Sequence, residues 1–390
     1  MCSSAGAVFA IMDADIPPVL KASWRLWCQE IIQLFPFLYS LKHNWRSRLS
    51  STSTPATDTS IPLKTSISAD SQSSYMATAS FIASHTDTLN GSSAIPPQPY
   101  LLTKYNQSLP LLTLCGASLG VHFGAWVWSI SHTSLAHSLL WVSMSPIVVN
   151  VSCWISYLLN YSTSPPTFKE TAGTIIGLLG GILMLGDVVF ATSSHSTDEV
   201  QPTFIGDFVA FIGAVAMAVY LSIGSKVRTW CPIWLYSFPV TGVAVITTAL
   251  FSLIFESSSV FCLSNACTFG FLHPSSLLLS AYLGGGAGVG GHTLINYLLQ
   301  YLSPTLVATS LLMEPLIGGL LGAALSVQSN PGPFTWCGGV ILVLGLIMVI
   351  LGEKEASSGL KFVERRPSSP ALSPAPSPSP TPSLILNVSL

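Results

Sequence analysis

Charge is what this chain has least of. Asp, Glu, Lys and Arg make up 8% of its 390 residues, against roughly a quarter in an ordinary soluble domain. None occurs between Glu256 and Glu314, and none again between Glu314 and Glu353. A soluble fold could not keep such surface in water, whereas a bilayer accepts it. Uncharged runs of about 20 residues suit membrane-crossing helices better than barrel strands. The class is therefore an all-α polytopic membrane protein, with the lipid bilayer as its first partner. The net charge of −2 comes with no basic patch, so nucleic acid is excluded as a partner.

Catalytic chemistry is also missing. No nucleophile stands beside a base, and His122, His132 and His137 have no metal-ligand spacing with other donors. No metal or cofactor is assigned, and an enzyme reading has little behind it. The run Gly284–Gly291 contains a G-x-G-x-x-G match at Gly286, Gly288 and Gly291. A dinucleotide fingerprint needs a strand before it and an amphipathic helix after it, and here both flanks are apolar on all sides. Those glycines instead allow close packing or a broken helix. Cysteines are few, and Cys262 and Cys267 share a polar loop. A disulfide forms there if the loop faces an oxidising compartment; two free thiols are the favoured reading.

What the chain does have is a repeat. Thr133–Pro146 and Leu302–Pro315 are both apolar helical stretches with small hydroxyl residues and a proline, and the prolines lie 169 residues apart. Each is followed by a glycine-rich apolar run, ending at Gly186-Asp187 or Gly352-Glu353. Duplicated halves in an apolar chain are how many secondary transporters are built.

Apolar spans are expected at about 107–130, 135–159, 172–193, 204–224, 233–255, 275–300, 305–327 and 334–352. A more polar one is expected at 19–41, with Lys21, Arg25 and Glu30 inside it. Ser4–Met12 is too short to cross and lacks the basic flank of a signal peptide; it reads as a shortened first span. This gives nine clear spans plus the shortened one, in two inverted repeats of about five helices.

The organisation expected is 1–41 for the first two spans, 42–106 for a disordered Ser/Thr-rich loop, and 107–193 for the rest of the first repeat. The second repeat follows at 204–355, then a disordered Pro/Ser-rich tail at 356–390. Lys42, Arg46, Arg48, Lys64, Lys104, Lys169, Lys226, Arg228 and the basic residues after Glu353 all fall on one side of such a chain. By the positive-inside rule the long loop and the C-terminus face the cytosol. The sequons at Asn90 and Asn387 would then go unused.

These residues together resemble the drug/metabolite transporter superfamily, in particular its EamA-type ten-span exporters. The resemblance covers about 107–355. It rests on the helices carrying Pro146 and Glu314-Pro315, the two terminal Gly-acid spans, and Gly206-Asp207 opening the sixth span. Ile16–Arg25 is similar to the family's second span, which often carries an arginine near its start. The first span is short, and Gln328 stands where the family often has an acid after the ninth span. The resemblance implies a multi-pass carrier of small organic metabolites and names no substrate. The alternative is a non-transporting membrane scaffold or sensor derived from the same fold. A homodimer is left open.

Glu314 is the sole acidic or basic residue, histidine apart, in the middle of a second-half span. An intramembrane carboxylate by default marks an ion or substrate path; a structural reading has it satisfy backbone donors freed beside Pro315. The paired position in the first half is Ser145, so the fold does not need an acid there. Ser310, Glu314, Gly318, Gly322 and Ser326 recur every four residues, as do Gly284, Gly288, His292, Asn296 and Gln300. Each set shares a helix face. His292 and Asn296 are expected to hydrogen-bond a substrate in a central cavity, although such residues also serve as glue between helices. Trp126, Trp128 and Tyr297 are candidate aromatic walls, or members of an interfacial belt. Arg25, one turn beyond Lys21, would meet an anionic group at the outer mouth. The scarcity of basic residues within the spans favours neutral, zwitterionic or cationic metabolites over nucleotide sugars or sugar phosphates.

Overall fold

The computed structural model describes residues 12, 15–51, 98–161, 165–192, 203–259, 267–314, 316–317, 320 and 331–364. Among these residues the chain is almost wholly helical and has no strand, only an isolated bridge between Ser259 and Cys267. The helices are α1 (Pro18–Ser51), α2 (Gln98–Ile130), α3 (Leu135–Val142), α4 (Ser145–Leu158), α5 (Phe168–Thr192), α6 (Phe204–Arg228) and α7 (Ile233–Phe255). After a 3-10 turn at Gly270–Leu272 come α8 (Pro274–Tyr282), a π-helical segment (Leu283–His292), α9 (Thr293–Leu298), α10 (Pro304–Leu311) and α11 (Pro333–Glu364).

Six stretches are long and apolar enough to cross a membrane: 103–130, 137–158, 168–187, 204–228, 233–255 and 333–356. Each matches an expected span. The other three expected spans differ for physical reasons. α1 is long enough but carries Lys21, Arg25 and Glu30. The stretch at 275–300 is helical from Pro274 to Leu298 but changes pitch over the ten residues Leu283–His292, six of them glycine. Residues without Cβ put no steric limit on the wider π turn. The stretch at 305–327 is helical to Leu311, turns at Leu312–Met313, and beyond residue 320 lies outside the described residues.

The expected loop at 42–106 is shorter than predicted, because α1 runs on to Ser51 and α2 begins at Gln98. Residues 52–97 lie outside the described residues, as do 1–11, both sequons, Gln328 and the tail beyond Glu364. α11 likewise overruns the expected boundary at 356 by eight residues. Contrary to the favoured reading of two thiols, Cys267 is disulfide-bonded; Cys262 lies outside the described residues.

The repeated stretch builds the same local structure twice. Ser134 caps α3 by accepting from His137 N at 3.3 Å, and Ser303 caps α10 by accepting from Leu306 N at 3.1 Å. Each helix then breaks, at Ser143–Met144 and at Leu312–Met313. A proline follows two residues after each break, where it removes a backbone donor and clashes with the preceding turn. Caps and breaks both lie 169 residues apart.

The two glycine-rich spans pack on each other. A Cβ at Gly345 would fall 2.3 Å from Gly177 N, and one at Gly180 would fall 2.4 Å from Leu342 N. Here α5 and α11 touch backbone to backbone, which small residues permit and larger ones forbid. The acids that end these spans tie helices together. Asp187 accepts from Phe334 N (3.3 Å) and Thr335 N (2.7 Å) at the start of α11, and Glu353 accepts from Ser303 N (2.8 Å). Glu256 does the same for α1, accepting from Val19 N at 2.7 Å, Leu20 N at 3.0 Å and Ser252 Oγ at 2.8 Å. A carboxylate at a helix N-terminus satisfies orphan donors and meets the positive end of the helix dipole.

Two outcomes follow from these contacts. Gly345→Val forces α11 off α5 and destabilises the protein by about 1–3 kcal/mol, read as a lowered unfolding midpoint in detergent; an unchanged midpoint contradicts the close crossing. Burial holds the Glu256 carboxyl above the ordinary carboxylate range in spite of its donors. A raised folded value means that ionisation costs the folded state more than the unfolded chain. Its contribution is therefore full below the ordinary carboxylate value and is lost as pH rises through the folded value. Glu256→Gln flattens that decline in a melting-temperature profile against pH; an equally steep decline in the variant contradicts it.

Candidate functional site

Four elements converge on one polar cluster inside the apolar bundle. α1 contributes Arg25, α2 contributes His122, Phe123 and Trp126, and the π segment ends in His292. Glu314 comes from the turn after α10. Arg25 is 2% exposed, and its guanidinium lies 4.4 Å from the centroid of the Phe123 ring. A guanidinium over an aromatic face keeps part of the stabilisation it loses on leaving water. His292 packs edge-on against the same ring at 5.1 Å, so Phe123 is shared between a cation and an imidazole. His122 stacks near Trp126 at 6.5 Å and lies 2.9 Å from Gly213 O through Nδ1. Arg25 is within Coulombic range of His122, His292 and Glu314. His292 Nδ1 is buried and has no hydrogen-bond partner.

A second polar group adjoins this one through Tyr220, whose ring centre is 6.3 Å from that of His292. The Tyr220 hydroxyl donates to Asn296 Oδ1 at 2.5 Å. Arg228, 2% exposed, donates through Nε to Asn296 O (2.9 Å), through Nη2 to Gln300 Oε1 (2.8 Å), and through Nη1 to Cys231 O. Three acceptors thus surround one buried guanidinium, as a charge out of water requires.

The sequence-predicted residues divide accordingly. Arg25, Trp126 and His292 come together, and Glu314 lies within electrostatic reach of Arg25. Arg25 does so in the interior rather than at an exposed mouth, because α1 buries the face carrying it against α2 and the π segment. Asn296 is 2% exposed and adjacent, with its side-chain oxygen committed to Tyr220. Trp128 and Tyr297 are not part of the cluster. Trp128 stacks on His132 at 3.5 Å near the end of α2, and Tyr297 is 47% exposed and pairs with Tyr301 at 5.3 Å. Gln300 serves Arg228. Of the two expected four-residue rows, the positions Gly318, Gly322 and Ser326 lie outside the described residues.

The sequence reading missed a third row. Arg25, Gln29 and Gln33 recur every four residues on α1 and are 2%, 1% and 0% exposed. Gln33 Nε2 donates to Ser237 Oγ (3.1 Å) and Thr293 Oγ1 (3.3 Å), and Gln29 Nε2 to Thr241 Oγ1 (3.4 Å). The i, i+4 spacing was there to be seen, but the charged residues of α1 drew attention to the helix's polarity rather than to its face. His122 was missed because its metal-ligand spacing was tested and its spacing to Trp126, one turn away, was not.

An apolar groove of about 290 Å³ between Leu316, Leu320, Trp336, Val340 and Leu344 lies apart from these groups and offers no polar atom to a solute.

Asn296→Ala leaves the buried Tyr220 hydroxyl and its own former cavity unfilled, costing about 1–3 kcal/mol. Tyr220→Phe removes the donor and leaves the Asn296 amide oxygen without it, costing about 1 kcal/mol. The combined variant should cost little more than Asn296→Ala alone in a denaturation cycle; full additivity would show that the hydrogen bond is absent.

No protein-family model matches the sequence, and no curated protein matches it. A solved crystal structure aligns with 90% of this chain and 93% of its own, at 14% sequence identity and a TM-score of 0.54. At that identity the likeness is one of fold alone.

Proposed function

We propose that this protein is a secondary-active carrier of small organic metabolites, working by alternating access in a ten-span arrangement of two inverted repeats. One observation carries the reading: Arg25, His122, His292 and Glu314 are gathered between apolar helices, beside aromatic rings, where a structural protein would place hydrocarbon. Charged and ionisable groups are expensive in such surroundings and by default mark a transport path. The twice-built cap and break at 134–144 and 303–313 supports the repeat, as does the packing of the two glycine-rich spans on each other. The resemblance to the drug/metabolite transporters rests on the same features. A disulfide at Cys267 agrees with an oxidising, non-cytosolic side for the loop after α7, and so with a cytosolic long loop and C-terminus.

Arg25 and Glu314 present opposite charges to one site. That arrangement suits a zwitterion, whose carboxylate would face Arg25 and whose ammonium would face Glu314, with Trp126 and Phe123 as walls. The interior position of Arg25 supplies the cationic partner that a count of basic residues left out. Glu314 is the coupling group of this scheme: neutral when protonated, and paired with substrate or cation when ionised. Purified full-length chain in liposomes, screened with radiolabelled amino acids under an imposed pH gradient, tests both parts. Uptake should appear with the wild type and lose its response to the gradient in Glu314→Gln. An unchanged response in that variant sinks the coupling role.

A further inference from the structure

Nearly every interior acid among the described residues has an obvious duty. Asp187, Glu256 and Glu353 cap helices. Asp207 accepts from Thr133 Oγ1 at 2.7 Å and meets His137 Nδ1 at 2.9 Å, and Glu170 accepts from Thr167 N at 2.7 Å. Glu30 is different. Its Oε2 is buried without any hydrogen-bond partner, the one such carboxylate oxygen among the described residues. The carboxyl occupies a notch in α7 made by the missing side chain of Gly242. A Cβ there would sit 3.0 Å from Glu30 Oε1 and 3.7 Å from its Cδ.

Among the described residues, the elements packed against α1 offer this group no counter-charge. α7 contributes Tyr236, whose hydroxyl is within 3.1 Å of Cys115 Sγ. The π segment contributes His292, packed on Phe123, and α8 contributes Tyr282. From α2 come Lys104, Tyr105, Cys115 and His122. Of these, Lys104 lies over Trp230, Tyr105 donates to Leu235 O, and His122 meets Gly213 O. On α1 itself, Lys21 donates to Met12 O and Arg25 lies over Phe123, while Cys28 and Tyr39 are neutral groups. A carboxylate so placed has neither a cation nor a donor for its enclosed oxygen, whereas a carboxylic acid carries its own proton.

We infer that Glu30 is a proton-binding site enclosed between α1 and α7, occupied while the two helices are packed at Gly242 and released when they part. The carboxylate takes one proton to become the acid and returns it to water as the notch opens. It is distinct from Glu314, which shares the field of Arg25. Protonation of Glu30 stands independently of transport; its use to drive alternating access rests on the carrier reading above.

The test uses the full chain in liposomes and needs no substrate. Infrared difference spectra between the wild type and Glu30→Gln, recorded from roughly pH 5 to 9, should show the carbonyl band of one protonated carboxyl lost in the variant. Gln has the shape of the neutral acid, so the fold is kept. Gly242→Ala presses a methyl on the carboxyl and should shift the pH at which that band disappears. A second readout is maleimide labelling of Cys28, two residues before Glu30 on α1 and packed on Gly284 of the π segment, in a chain where it is the sole free thiol. The ratio of labelling rates, wild type over Glu30→Gln, should rise with pH as α1 leaves α7. Spectra of wild type and variant that superimpose throughout overturn the site, and a flat ratio overturns its link to helix separation. A chain that transports nothing yet gives both signals refutes the carrier reading alone.

Discussion

Backbone groups at helix ends have no water to turn to inside a bilayer, and this constraint shapes the structure more than any other. The chain answers it with carboxylates borrowed from distant segments. Glu256 closes α7 onto the start of α1, 237 residues away in sequence. Asp187 closes α5 onto α11, and Glu353 closes α11 onto α10. Each acid satisfies orphan amides and fixes where one helix begins relative to another. With charge so scarce in the sequence, these few residues act as joints, and the bundle's register follows from them.

Between the joints, glycine decides how near the helices come. α5 and α11 meet backbone to backbone through Gly173, Gly177, Gly180, Gly338 and Gly345. α2 approaches α7 in the same way, since a Cβ at Gly116 would fall 2.5 Å from Val240 O. Side chains at these crossings cannot slide without separating the helices. The π segment is the opposite case. Its glycines at 284 and 288 let it lie on α1 at Cys28 and Gln29, while its wide turns end at His292 and the break at 312–313 immediately precedes Glu314. Irregular backbone at membrane depth is tolerated where protein buries it or where it lines a cavity.

Much of this was legible in the sequence, for identifiable reasons. Uninterrupted apolar runs placed six spans to within about six residues at either end, because hydropathy sets where a helix can sit in hydrocarbon. Ser134 and Ser303 announce helix starts by residue type. The wider turn at 283–292 was foreshadowed by the glycine run, although composition cannot distinguish a π turn from a break. The long helical extensions to Ser51 and Glu364 were hidden, since polar residues beyond a span fit helix and loop equally well. In the sequence Glu314 stands out by its cost in lipid, His292 by its four-residue spacing and Arg25 by its place one turn beyond Lys21. Trp128 and Tyr297 were misjudged because facing depends on which neighbours a helix meets. Gln29 and Gln33 needed the face of α1 to be worked out by the same i, i+4 counting that picked out His292 and Asn296.

The same backbone device, built twice, separates what the fold needs from what chemistry needs. At the first break Ser145 is 6% exposed and begins α4; at the second, Glu314 holds the corresponding place. If the break required a carboxylate beside its proline, Ser145 would leave its own break unsupported, yet α4 forms there. The acid at 314 is therefore surplus to the scaffold. It stands within reach of the field of Arg25, a buried residue whose guanidinium lies over the Phe123 ring. The two breaks thus share a backbone form and differ in the chemistry held at the same place.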